Sequence, residues 1–211
     1  MEKLDFRTIN DELTRKTVIS KIHHYSGVML PESYLEQGKT VGIFLQNQLV
    51  AGYILVTRPK FRSLLFVPDK TKSESHFFSE NQYDCMEING LWISPALKTP
   101  MLQMKVWFRL VWDIFSCKKQ YVLLMRNLNN KSMARFMTMA NPVNIYSGEP
   151  FVMAGQTTHE RIQVSYTTRW KLITNSYKYF LELLRRNSKA NNFSRQSGVV
   201  KYLKQSYPDL G

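Results

Sequence analysis

The sequence has few cysteines, few acidic residues and no long apolar run, and each shortage narrows the class of protein. Its two cysteines, Cys85 and Cys117, are far apart and outside any CxxC pair, so we expect no disulfide framework and a reducing compartment. No apolar run approaches the roughly 18 residues of a membrane-spanning helix, and no apolar signal core follows Met1. His23 and His24 have no third ligand nearby, so no metal site is expected. These shortages predict a cytoplasmic protein.

Basic residues outnumber acidic ones by 29 to 16, which gives a net charge of +13. This balance favours an acidic partner, such as nucleic acid, an anionic membrane face, a phosphorylated cofactor or an acidic carrier protein. Many basic domains are simply soluble, so charge alone does not choose among these partners. Hydrophobic residues make up 44% of the 211 residues, which indicates a folded domain with a core.

The rest of the chain is arranged around residues 86–141. Two short apolar runs, 86–93 and 121–126, are typical of strands that are covered on both faces. The apolar helical stretch 100–117 lies between them, and a last helix is predicted over 131–140. Two parallel strands joined by a crossover helix form a βαβ unit, whose handedness is almost always right-handed.

Turn residues and apolar periodicity predict the flanking elements. They are a strand at 5–9, a helix from Asp11 to about Tyr25 ended by Gly27, a short helix at 31–37, a hairpin of 40–45 with 49–56, strands at 143–146, 151–154 and 161–167, and an amphipathic helix at 170–186. The connection 61–82 is longer than a minimal fold needs and carries several aromatic residues. Such a connection is typical of a lid, a binding loop or a cover for the sheet.

The order and spacing of these elements resemble the core of the GCN5-related N-acetyltransferase (GNAT) superfamily. The resemblance is carried by Glu87 in the first strand and by the Ile93-Ser94-Pro95 end of that strand. It implies an α/β (α+β) fold with a mixed central sheet of six to seven strands and helices on both faces. It also implies an acyltransferase domain over residues 1–168 and a C-terminal helical extension over 169–211.

The resemblance further implies transfer of an acyl group from a thioester to an amine. Glu87 would be the catalytic general base, directly or through water, and Tyr146 is the candidate for the catalytic acid. The two parallel strands would splay apart, so that backbone N–H groups around Leu91, Trp92 and Ile93 bind the thioester oxygen and the pantetheine arm.

Two motifs depart from the superfamily pattern. The glycine-rich donor loop is replaced by a loop in which Lys98, Thr99, Met101 and Gln103 are the donor-binding candidates, with Thr99 as the N-cap of the next helix. The last helix keeps its donor-binding candidate Asn130. The tyrosine that usually acts as the general acid on this helix is replaced by Met137, which could widen an apolar channel.

These departures make a phosphopantetheine arm on an acidic acyl carrier protein as plausible a co-substrate as acyl-CoA, and no metal is implied. The apolar donor loop and the aromatic-rich connection suit a fatty acyl chain better than an acetyl group. Three functions therefore stay open: an N-acyltransferase acting on an amino acid or peptide, a catalytically inactive GNAT-like binding module, and a basic nucleic-acid-binding protein.

Overall fold

The computed structural model describes residues 3–27, 29–81, 83–97, 99–129, 137–148 and 161–185. The predicted strand at 151–154, most of the predicted helix at 131–140, and the donor-binding candidates Lys98 and Asn130 lie outside the described residues.

Seven strands form one mixed sheet in the order β1-β2-β3-β4-β5-β7-β6. They are β1 Leu4–Thr8, β2 Gly38–Leu45, β3 Gln48–Val56, β4 Cys85–Ile93, β5 Tyr121–Asn127, β6 Val143–Gly148 and β7 Ile162–Thr168. Among the described strand pairs, β4 and β5 are parallel and all the others are antiparallel. The predicted mixed sheet is therefore confirmed.

Eight helices are described around this sheet, and residues 137–138, inside the helix predicted over 131–140, are helical as well. The eight helices are α1 Glu12–Ser26, α2 Glu32–Glu36, α3 Arg62–Leu65, α4 Asp69–Glu74, α5 His76–Asn81, α6 Pro100–Ser116, α7 Arg169–Thr174 and α8 at 176–185. The connection 61–82 holds α3, α4 and α5, which were not predicted because helices of four to six residues show no clear period. The helix predicted over 170–186 is interrupted by a turn at Asn175. No helix in the described ranges has both the length and the apolar character needed to cross a bilayer.

Local signals set the ends of α1 and of the first hairpin. The Asp11 carboxylate accepts a hydrogen bond from the Thr14 N–H at 2.8 Å, and Gly27 ends the helix in the left-handed region with φ 69°. Gln46 and Asn47 both have positive φ, 50° and 62°, as a tight two-residue hairpin turn requires. The predicted start and end of α1 are confirmed.

The core has two apolar layers, one on each face of the sheet. Along β5, Val122 and Leu124 belong to the layer beneath α6, whereas Leu123 belongs to the layer beneath α1 and α2. The predicted arrangement of helices on both faces is confirmed.

The carboxylate of Asp113 on α6 is buried at the layer beneath this helix. It accepts hydrogen bonds from the Tyr53 hydroxyl at 2.7 Å, from Lys39 Nζ at 3.0 Å and from Arg109 Nε at 3.2 Å. Burial by itself raises the pKa of Asp113, but the hydrogen bonds from Tyr53 and Lys39 outweigh it and hold the pKa below its usual range. Asp113 therefore links α6 to β2 and β3 as a charged group.

Candidate active site

The parallel strands β4 and β5 are paired along only part of their length. The pairs are Cys85 with Tyr121, Met86 with Val122 and Glu87 with Leu123. Both strands are described to their ends, at Ile93 and Asn127, and no pair joins them beyond Glu87. The splay that the GNAT resemblance implied is therefore present, and Glu87 lies at its vertex.

A bulge at Gly90 bends β4 where the splay begins. Asn89 is paired with Ile54 and Trp92 with Gly52, so β4 has one more residue than β3 between these two pairs. Gly90 has φ 58°, and a Cβ there would lie 2.5 Å from Ile22 Cδ1. Only glycine satisfies both the backbone conformation and the close approach of α1.

We expect Gly90→Ala to lower the free energy of unfolding by about 2 kcal/mol, because alanine is strained at positive φ and its methyl group meets Ile22. Chemical denaturation measures the change. The cost of Gly90→Ala should be smaller when Ile22→Val has already removed the Cδ1 methyl group. Strictly additive effects of the two substitutions would contradict the close approach as a cause.

A cavity of about 640 Å³ fills the space between the splayed strands, within the range of small-molecule sites. It extends from the α1 side of the sheet to the α6 side. Five parts of the chain form its walls. They are α1 with the loop after it (Ile22, Tyr25, Ser26, Leu30), the start of α3 (Arg62), β4 beyond the vertex (88–93), β5 beyond the vertex (124–127), and an apolar side made by α6, the C-terminal helices and Met137 (Trp107, Leu110, Val111, Ile114, Met137, Leu172, Ser176, Tyr179, Phe180). Substrates entering from opposite faces can therefore meet in the splay.

The two ends of the cavity differ in chemistry. The α6 end is almost entirely apolar, whereas the α1 end presents the polar groups of Tyr25, Ser26, Arg62 and Asn89. Arg126 adds a second guanidinium at the end of β5. None of the described lining residues has a carboxylate, so the cavity favours ligands that carry negative charge.

The Glu87 carboxylate lies just behind the cavity wall and is only 2% exposed. Its Oε2 accepts hydrogen bonds from the Tyr34 hydroxyl at 2.7 Å and from the Arg62 backbone N–H at 2.8 Å, and its Oε1 accepts one from the Ser63 N–H at 2.7 Å. Glu87 therefore anchors the start of α3 to β4.

A hydrogen-bonded chain connects Glu87 to the cavity. The Asn89 side-chain amide, which lines the cavity, donates to the Tyr34 hydroxyl at 2.6 Å, and that hydroxyl donates to Glu87. Burial and the adjacent Glu87 charge raise the pKa of Tyr34, so its hydroxyl stays protonated. Two neutral side chains, those of Tyr34 and Asn89, therefore link Glu87 to the cavity.

Solved structures share this architecture. FeeM, an N-acyl amino acid synthase from uncultured soil microbes, gives a TM-score of 0.57 at 10% identity over 80% of this chain and 92% of that one. Arabidopsis thaliana NAA60 with acetyl-CoA gives 0.55 at 10% identity over 79% and 98%. The Escherichia coli ribosomal-protein-S18-alanine N-acetyltransferase gives 0.55 at 6% identity over 79% and 94%. The chain has the GCN5-related N-acetyltransferase fold.

No family sequence model matches this GNAT-fold chain, and no curated protein matches it by sequence. At identities of 6–10%, the likeness concerns the fold, so the roles of individual residues depend on the geometry of this molecule.

The predicted thioester-binding segment lies where the GNAT fold opens. Leu91, Trp92 and Ile93 all line the cavity beyond the last pair with β5. The indole of Trp92 stacks on the Tyr25 ring, with centroids 5.2 Å apart and an angle of 7° between the planes. This stacking packs α1 against the splayed part of β4 and forms one wall of the cavity.

The start of α6 differs from a glycine-rich phosphate loop. Thr99 is the N-cap, as predicted, but its side chain makes no capping hydrogen bond to the described residues, and Pro100 has no N–H. The Gln103 side-chain amide donates to the Leu97 carbonyl at 2.7 Å and so braces the loop, while Met101 is exposed. Donor binding by Thr99, Met101 and Gln103 stays a prediction.

The structure does not bring Tyr146 to the cavity. It lies on β6, two strands beyond β5 in the sheet order, and packs against Gly148 so closely that a Cβ there would collide with its hydroxyl. It belongs to a small apolar cluster with Val67, Ile162 and Val164. Its role as a catalytic acid stays a prediction that the cavity geometry does not support.

Sequence reasoning missed Tyr34, Arg62, Asn89 and Arg126. Asn89 had a usable signal, because residues two apart on a strand share a face and Glu87 was already a candidate. The sequence carries no comparable signal for Tyr34 and Arg62, since each contacts Glu87 of β4 from a segment at least 25 residues away.

Proposed function

We propose that the protein is an N-acyltransferase that transfers an acyl group from a thioester donor to the amine of an amino acid or peptide. The observation that carries this proposal is the splay of β4 and β5, with Glu87 at its vertex and a cavity open to both faces of the sheet. The neighbours in fold support it, because they include an N-acyl amino acid synthase and N-acetyltransferases.

In the proposed reaction, the amine nitrogen attacks the thioester carbonyl carbon, a C–N bond forms and the C–S bond breaks. Backbone N–H groups of Leu91, Trp92 and Ile93 hold the carbonyl oxygen as it gains negative charge. The amine proton passes to water beside Asn89 and from that water to the Tyr34 hydroxyl, which gives its own proton to Glu87. The departing thiolate takes its proton from water, because Tyr146 lies away from the cavity.

The cavity also suggests where each substrate binds. The amine acceptor fits the polar α1 end, where Arg62 attracts the carboxylate of an amino acid or peptide. The apolar α6 end, around Leu110, Val111 and Ile114, suits a fatty acyl chain.

Two thioester donors fit this site, an acyl-CoA and an acyl-phosphopantetheine arm on an acidic acyl carrier protein. Lys98, Thr99, Met101, Gln103 and Asn130 are the residues we assign to the donor's phosphate end. A carrier arm is favoured by the start of α6, which lacks the glycine backbone that cradles a pyrophosphate. Both cysteines are free, which fits the cytoplasmic location that the sequence predicted.

Mass spectrometry of products tests the proposal. The full-length protein is incubated with acyl-CoAs from acetyl to palmitoyl, or with the matching acyl carrier proteins, and with a panel of amino acids and peptides. An acylated amine that depends on the protein supports an acyltransferase. Saturable donor binding with no product supports the inactive GNAT-like module, the second candidate favoured by the altered donor loop. Binding to RNA or DNA alone would overturn both.

We expect Val111→Phe to shift the donor preference toward shorter acyl chains. Val111 lines the apolar end, so a larger ring removes volume there. The ratio kcat/KM should fall about tenfold for long-chain donors and change little for acetyl donors, a loss typical of a blocked apolar pocket.

Val143→Phe is the matched control for this shift, because Val143 is exposed on β6 and outside the cavity. An equal loss for all chain lengths in Val111→Phe would place the acyl chain elsewhere.

A further inference from the structure

The positive charge of the chain is concentrated in one part of it. Residues 85–211 have 18 Lys and Arg against 6 Asp and Glu, whereas residues 1–84 have 11 against 10. Among the described residues from Thr99 onward, the only carboxylates are those of Asp113 and Glu182. Both are buried, and Glu182 is paired with Arg185 as Asp113 is with Lys39. The exposed charged groups of the described residues from Thr99 onward are therefore cationic.

Large apolar side chains occupy the outer face of helix α6 as well as its inner face, and Lys105 is the one charged residue among them. Met101, Phe108, Trp112 and Phe115 are spaced so that they share the outer face, and all four are exposed. A surface helix normally presents polar residues there, and a helix that is apolar all round is normally covered. The outer face of α6 is therefore a candidate binding surface.

The exposed apolar surface continues onto the C-terminal helices. Phe108 contacts Phe180 of α8 with ring centroids 4.3 Å apart, and Phe115 contacts Trp170 of α7 at 5.9 Å. Tyr177, Leu181 and Leu184 are exposed at helical spacing on α8. We name the exposed rings the aromatic ridge: Phe108, Trp112, Phe115, Trp170 and Tyr177.

Cationic side chains lie directly beside the ridge. The Arg169 guanidinium is 5.7 Å from the Phe115 ring centre and 5.4 Å from that of Trp170, and Lys178 Nζ is 5.8 Å from the Tyr177 ring centre. Lys171 is exposed on the same turn of α7. Large rings and cations thus alternate over one surface.

We propose that the aromatic ridge binds the surface of an anionic lipid membrane. Trp and Tyr rings are most stable at the level of the lipid headgroups, and neighbouring Lys and Arg gain from negative headgroups. A second copy of the chain would place cations against cations, which disfavours self-association through this surface. Double-stranded nucleic acid would satisfy the cations but would leave the rings without an apolar environment.

The ridge adjoins the cavity, which gives membrane binding a consequence for the site. Phe180 lines the cavity and contacts Phe108 of the ridge, with ring centroids 4.3 Å apart, and Trp107, next in sequence to Phe108, also lines the cavity. Membrane binding would therefore bring the apolar end of the cavity near the bilayer. The proposal itself depends on the surface alone, whether or not the protein transfers acyl groups.

Flotation of the full-length protein with vesicles tests the proposal. Vesicles of phosphatidylcholine alone are compared with vesicles of phosphatidylcholine and phosphatidylglycerol at low and high salt. We expect binding to the anionic vesicles, a blue shift of tryptophan fluorescence, and loss of binding at high salt. The double variant Trp112→Ser/Trp170→Ser should bind these vesicles about tenfold more weakly or worse.

The matched control is Leu13→Ser/Tyr83→Ser. Leu13 and Tyr83 are 79% and 70% exposed, compared with 63% and 57% for Trp112 and Trp170, but they lie in the part of the chain with balanced charge. Circular dichroism verifies that both variants fold. The absence of binding to anionic vesicles, or equal weakening in both variants, would overturn the proposal. A dimer in solution that only the tryptophan variant abolishes would assign the ridge to a second copy instead.

Discussion

Replacement of Glu87 with Gln should lower kcat/KM for acyl transfer by about a hundredfold or more, because an amide cannot take the proton that the attacking amine loses. The substitution keeps the size of the side chain and an oxygen that can accept from the start of α3. It gives up one of three hydrogen bonds, which should cost about 1–2 kcal/mol of stability. Steady-state kinetics and chemical denaturation measure the two effects separately.

Tyr34→Phe helps to distinguish a catalytic Glu87 from a purely structural one. It removes the hydroxyl that contacts Glu87 and Asn89 but leaves both α3 backbone N–H groups bonded to the carboxylate. We expect a loss of about tenfold in kcat, smaller than that of Glu87→Gln, because the base remains and a water molecule can take the place of the missing hydroxyl. Full activity in Glu87→Gln would mean that the carboxylate only anchors α3, and the proposed proton path would be wrong.

Asp113→Asn should have the opposite effect to Glu87→Gln, with a large loss of folding stability and little change in the rate of acyl transfer. The carboxylate is buried and accepts from Tyr53, Lys39 and Arg109, so its removal leaves two cations without their partner. Breaking a buried ion pair costs about 3–5 kcal/mol, and we expect about 2–3 kcal/mol here because Lys39 and Arg109 keep some contact with water. The denaturant midpoint should fall accordingly.

The pH dependence of this effect has a defined sign. The pKa of Asp113 is lower in the folded protein than in the unfolded chain, so its contribution to stability is complete above the unfolded-state pKa. The contribution is lost as the pH falls through the folded-state pKa. The stability difference between the unsubstituted protein and Asp113→Asn should therefore be constant near neutral pH and shrink below about pH 4, the usual pKa of aspartate. A difference that does not change with acid would contradict this assignment.

Asp113→Asn is also the matched control for Glu87→Gln. Each carboxylate is buried and accepts from a tyrosine hydroxyl, but Asp113 lies beneath α6 and Glu87 lies at the vertex of the splay. Activity per folded molecule should survive in Asp113→Asn. If both variants lost activity equally, general loosening of the sheet would explain the result better than a catalytic base at Glu87.

The order of elements was predictable because the signals for it are local. The apolar runs of β4 and β5 and the long apolar stretch of α6 appear in any window of the sequence that contains them. Asp11 and Gly27 marked the ends of α1 for the same reason, since a cap depends on its own turn. The short helices α3 to α5 were not predicted, because a single turn has no period to detect.

The strand–helix–strand unit, the charge imbalance and the glutamate in the central strand all follow from the sequence, because periodicity and charge do not depend on which segments pack together. Three features required the folded structure: Tyr34, Arg62 and Ser63 surround Glu87, Tyr146 lies two strands beyond β5, and the rings on one side of α6 face outward. The physical reason is that these facts depend on which distant segments pack together. An apolar helix has the same sequence whether one face or both faces are covered.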